Sequence, residues 1–131
     1  MKSEVVETRT SKVWLDEDGI FRTLSLPDVN VTLEDFKAIN RQHRRLCGGK
    51  KTPILNDIRG AKTMVSREAR IFAASEEACE ITSAAALLVG SPVSRVIGNF
   101  FLGINKPPFP TKLFTSEAEA IKWLKGFLEK K

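Results

Sequence analysis

The chain has 131 residues, 42% of them hydrophobic and 28% charged, which suits one globular domain spanning 1–131 and argues against disorder. Lysine and arginine number 21 against 16 aspartates and glutamates, for a formal charge of +5. That excess is modest, and nucleic-acid binders gather basic charge on one element, so no nucleic-acid partner is expected.

Residues 1–10 are polar and mixed in charge, with no apolar signal core. The longest apolar run, 84–89, is far too short to span a bilayer. The two cysteines, Cys47 and Cys79, both fall on expected helices, and nothing in the sequence pairs them. A reducing cytoplasm with two free, mostly buried thiols is the expectation.

Residues 5–15 are rich in β-branched and aromatic side chains and predict a strand. Asp16-Glu17-Asp18-Gly19 ends in Asp-Gly, a hairpin signal, and a second strand follows over 20–26 until Pro27 and Asp28 stop it. Thr32 then reads as an N-cap with Asp35 three residues on. The helix behind it sets Leu33, Phe36, Ile39, His43, Leu46 and Cys47 on one face. Arg41, Arg44 and Arg45 lie outside, and Gly48-Gly49 end it, one of them left-handed.

Residues 53–58 predict a short buried strand. Ser66 caps a helix over 67–80 with a narrow face of small residues. Residues 84–89 are apolar throughout, as in a central strand covered on two sides. Ser91 and Pro92 open a further helix reaching about residue 104, the proline-rich stretch 105–110 follows, and 111–114 form a last strand. Ser116-Glu117-Ala118-Glu119 is a capping box for a final helix burying Ala120, Ile121, Leu124, Phe127 and Leu128. The fold class is therefore α/β in the order ββαβαβαβα, a mixed sheet packed with helices, its later strands parallel.

Chemistry-bearing patterns are sparse. The only histidine, His43, sits on the buried stripe of its helix with no nucleophile motif around it, which favours a half-buried structural role. One histidine and two distant cysteines cannot build a zinc site, and the acidic turn at 16–19 lacks calcium-loop spacing, so no metal or cofactor is expected. Gly48-Gly49-Lys50-Lys51-Thr52 superficially resembles a phosphate loop, but Arg44 stands where its first glycine belongs and the segment precedes a strand. The helix start at Ser91, with Ser94 and Arg95, is a candidate anion site, although Ser91 is also explained as a cap. Phe100 and Phe101 point about 100° apart on a helix, so one of them is a candidate interface residue and wholesale burial is the alternative. No catalytic residue is assigned.

A buried strand ending Asp57-Ile58-Arg59-Gly60, followed by a capped helix, resembles the STAS domains, the SpoIIAA-like anti-sigma-factor antagonists. The tail 109–124 is similar to that of small uncharacterised bacterial proteins described as SpoIIAA-like or STAS/SEC14-like. The resemblance covers nearly the whole chain and implies a SpoIIAA/STAS-like fold. In the antagonists the pattern is Asp-x-Ser-Gly, and a partner kinase phosphorylates its serine. Asp57 and Gly60 match, but Arg59 stands at the phosphoacceptor position, with Thr63 and Ser66 downstream. The resemblance thus implies a non-enzymatic bacterial regulatory module that presents Asp57, Arg59, Gly60, Thr63 and Ser66 to a protein partner or a second copy of itself. The alternative is a small anionic or lipid-like ligand held at the helix starts near Ser66 and Ser91, with Arg59 and Arg95 supplying charge.

Overall fold

The computed structural model describes residues 4–27, 29–59, 66–91 and 109–128. Gly60, Thr63, Ser94, Arg95, Phe100 and Phe101, and the helix expected after Ser91, lie outside the described residues.

The strands are β1 (Val6–Glu7), β2 (Ser11–Leu15), β3 (Phe21–Ser25), β4 (Thr52–Asp57), β5 (Thr82–Leu88) and β6 (Thr111–Phe114). The helices are α1 (Leu33–Cys47), α2 (Arg67–Ala73), α3 (Glu76–Cys79) and α4 (Glu117–Lys125). All six strands join one sheet in chain order, β1 to β6. The first two pairings are antiparallel, and those of β3 with β4, β4 with β5, and β5 with β6 are parallel. The sheet is therefore mixed, as the alternation of later elements predicts.

Two expected elements are corrected. The single strand over 5–15 is two strands. Thr8 donates its backbone N–H and its hydroxyl to the Ser11 carbonyl, at 2.7 and 3.1 Å, and its hydroxyl oxygen accepts from the Ser11 N–H. These local bonds close a turn where β propensity alone reads a continuous strand. The single helix over 67–80 is α2 and α3, because Ser75 adopts an extended conformation and its hydroxyl caps Ala78 N–H. A serine that bonds its own downstream backbone starts a new helix in place of continuing the old one.

Two cores sit on opposite faces of the sheet. On one, α4 lays Ala120 and Leu124 over Ile20, Leu55, Ala84, Ala86, Leu88 and Phe114. On the other, Cys47 of α1 meets Val13 and Phe21, with Ile39, Leu46 and Ile54 packed against them. Leu55 and Ile54 are neighbours on β4, so that strand feeds both cores by the alternation of its side chains. At the end of α1 both Gly48 and Gly49 take positive φ, 62° and 77°, a region open to glycine without strain.

The start of α1 carries a feature absent from the periodicity. Asp35 is 7% exposed. Its carboxylate accepts from the Thr32 N–H at 2.8 Å, the Thr32 hydroxyl at 2.9 Å and Arg9 Nε at 2.8 Å, with Arg9 Nη2 on its second oxygen. The Arg9 guanidinium holds this carboxyl down to about 2, with the Thr32 donors adding to it against the cost of burial. Arg9 thus ties the β1–β2 turn to the helix start. Replacing Asp35 by Ala strands these donors and should cost about 2 kcal/mol in urea unfolding at neutral pH. Arg9→Ala should cost less, since the Arg9 side chain is 59% exposed. Equal stability of Asp35→Ala and wild type would contradict the assignment.

Candidate functional site

The site begins at the last residue of β4. Asp57 lies opposite Leu24 of β3 and Leu88 of β5, on the sheet face that carries Leu55. Its side chain is only 14% exposed. A carboxylate so placed needs a cation or several donors to remain ionised. Arg59 supplies both. Its backbone N–H and Nε reach Asp57 Oδ1 at 3.1 and 3.0 Å, and its Nη2 reaches Oδ2 at 2.8 Å. Two guanidinium donors on two carboxylate oxygens form the fork that makes arginine pairs strong and directional. Burial alone raises the Asp57 carboxyl, but the Arg59 bonds and charge, with Arg22 behind them, hold it below the usual carboxylate range.

Glu117, in the first turn of α4, joins this pair to a second arginine. Its Oε1 lies 3.6 Å from Arg59 Nη2 and 3.3 Å from Arg22 Nη2. Arg22 also reaches Asp16 at 3.4 Å and covers the Trp14 ring at 5.6 Å. The result is an alternating chain of Asp57, Arg59, Glu117, Arg22 and Asp16, in which carboxylates outnumber guanidiniums by one. Gly90, two residues past the end of β5, packs against the backbone of Arg59. A Cβ there would stand 3.3 Å from the Arg59 carbonyl oxygen, so the backbone approach leaves little room for a larger residue.

The structure brings together Asp57 and Arg59 of the sequence-derived set. Ser66 is spent locally. Its hydroxyl accepts from Ala69 N–H at 3.1 Å and its own N–H donates to Val31. Arg22 and Glu117 are site residues that sequence reasoning did not assign. Glu117 reads as part of a capping box, and Arg22 as one residue of an ordinary strand. The available signal was a lone arginine between Phe21 and Thr23 in a strand bordering the parallel part of the sheet.

His43 is committed elsewhere. It is 2% exposed, stacked on Phe21 at 4.3 Å with the rings 3° from parallel, and its Nε2 lies 2.6 Å from Thr52 Oγ1. It is more deeply buried than the expected half-buried residue. Burial pushes it down to about 4, with the nearby Arg44 charge adding to this, so the ring is neutral at physiological pH. Cys47 Sγ lies 3.6 Å from the same Thr52 hydroxyl, and burial pushes its thiol up. A raised thiol with a neutral buried imidazole beyond an intervening hydroxyl is the reverse of an activated nucleophile. Among the described residues no group of three His, Cys, Asp or Glu side chains could hold a metal ion. Among them, too, no helix is long and apolar enough to cross a membrane.

A family model described as a domain of unknown function, DUF7793, matches residues 13–128. Among solved structures, the chain is similar to an uncharacterized protein of the DUF3478 family with a SpoIIAA-like fold from Shewanella loihica PV-4, with a TM-score of 0.52 and 15% identity over 94% of this chain and 92% of that one. A protein with unknown function from Arthrobacter sp. FB24 matches at 35% identity over 91% of this chain and 95% of that one, with a TM-score of 0.31. Comparison with curated proteins finds no match. The Shewanella protein establishes the SpoIIAA-like fold expected from the sequence.

The depressed His43 value has a consequence for stability. A base that is harder to protonate when folded binds its proton preferentially in the unfolded chain, so stability is full above the unfolded value and lost as pH falls. With 6.5 unfolded and about 4 folded, His43 should remove about 2 kcal/mol between pH 7 and pH 4.5. Urea unfolding at the two pH values, on wild type and His43→Gln, isolates this component. The variant should lose less than wild type by that amount, and identical losses would contradict a buried neutral histidine.

Proposed function

The chain belongs to the DUF7793 family, a domain of unknown function, and on its SpoIIAA-like fold we propose that it is a non-enzymatic protein-interaction module, acting in the bacterial cytoplasm through the surface around Asp57, Arg59 and Glu117. The Asp57–Arg59 pair carries this reading. In the SpoIIAA-like antagonists the corresponding position is a serine whose charge changes on phosphorylation. Here it is a guanidinium that never titrates in water and is already held by two carboxylates. The contact surface is thus set permanently in charge and shape and is not switched at this residue.

The composition of the cluster favours a protein partner over a small anion. Arg59 is balanced by Asp57 and Glu117, and the cluster of Asp57, Arg59, Glu117, Arg22 and Asp16 carries one excess negative charge. A partner cation is the natural complement to that surface. The neutral His43 and the raised Cys47 thiol support a domain without catalysis. Both Cys47 and Cys79 are free thiols, which fits a reducing compartment.

The test is affinity capture from a lysate of the source cells, together with sedimentation of the pure chain, for wild type and Glu117→Lys. Wild type should retain one discrete protein or associate with itself. Glu117→Lys turns the excess charge of the cluster from negative to positive and should weaken that contact by about tenfold or more, while still melting cooperatively. Undiminished binding by Glu117→Lys, or a wild-type chain that stays monomeric and captures nothing, would overturn the proposal.

A further inference from the structure

The opposite end of β4 opens onto a groove of about 490 Å³, within the range of roughly 300–1,000 Å³ usual for small-ligand sites. Asp57 is at one end of the strand and Thr52 at the other, about 15–20 Å apart at the rise of an extended chain, so the groove is separate from the charged cluster. Leu15, Leu46, Pro53 and Leu128 give it an apolar lining drawn from β2, α1, β4 and the residues after α4. Lys50 and Lys51, on the connection from α1 to β4, line it as well.

The lining contains two cations and no carboxylate. Among the described residues neither lysine lies within ion-pairing distance of an acid. Asp18, in the neighbouring turn, is engaged by Lys125 at 3.7 Å. Nor are the lysine side chains needed to close α1. The backbone N–H groups of Gly48, Gly49 and Lys50 already bond the carbonyls of Arg45, Arg44 and Cys47.

Size and charge together select the occupant. A groove of about 490 Å³ matches a small-molecule site in size. A neutral apolar molecule would use the leucines and leave the lysines idle, and a bare anion would do the reverse. We propose that this groove binds a single-chain fatty-acid carboxylate, its chain against Leu15, Leu46 and Leu128 and its head at Lys50 and Lys51. This site does not depend on the interaction surface at Asp57, and either can fail without the other.

Titration of the isotope-labelled chain with sodium dodecanoate below its micellar range, followed by amide NMR, tests the proposal. Saturable shifts should appear at Gly19, Gly48, Lys50 and Lys51 and leave Asp57 and Arg59 unmoved. Dodecanol should bind about tenfold more weakly or worse, for want of the charged contact. The double variant Lys50→Glu/Lys51→Glu, changed only at exposed positions, should keep its melting temperature and lose affinity by at least the same factor. Absence of saturable shifts, shifts centred elsewhere, or equal binding of dodecanoate by wild type and the double variant would each overturn it.

Discussion

β4 is parallel to both of its neighbours, and most of the architecture follows from that position. A strand paired on both edges has its backbone groups satisfied, and its side chains must alternate into two dry layers. Leu55 and Ile54 do so, which is why α4 and α1 can each build a core on one side of the same sheet. The polar residues are displaced to the strand ends, Thr52 before the hydrophobic stretch and Asp57 after it.

The two ends are satisfied by different chemistry. At Thr52 a hydroxyl meets a neutral histidine, and the His43 ring then serves as a flat core surface against Phe21. No net charge is buried there. At Asp57 a carboxylate is retained, and Arg59, two residues later, folds back to hold it. Because Arg59 also faces Glu117, the same pair connects the β4 exit to the first turn of α4. With the Arg59 side chain 45% exposed to water, the pair adds only about 0–1 kcal/mol. Its larger effect is geometric: it fixes the direction in which the chain leaves the sheet.

Much of the fold was legible in the sequence because its elements are strongly patterned. The Asp-Gly turn, the stripe through His43 and Cys47, the double glycine and the Ser116 cap all occur where periodicity and turn chemistry put them. The two misread boundaries share a cause. At Thr8 and Ser75 a short hydroxyl side chain bonds nearby backbone, and propensity averaged over a window does not register that competition. The charged site was half legible. Asp57 and Arg59 lie two residues apart and stood out through a family resemblance. Arg22 and Glu117 come from elements far apart in the chain and meet only after the sheet and α4 have packed. Asp35 is legible as the capping-box partner of Thr32, but Arg9, its partner 26 residues away, is invisible for the same reason.

The claim on which the functional account rests is that Arg59 permanently holds the Asp57 carboxylate. The most direct measurement is an NMR pH titration of the Asp57 side-chain carboxyl in wild type and in Arg59→Met. With Arg59 in place the carboxyl should titrate below the usual carboxylate range, and in the variant it should rise, because burial is then opposed only by the backbone N–H of residue 59 and the more distant Arg22. An Asp57 that titrates at the same pH in both proteins would contradict the account.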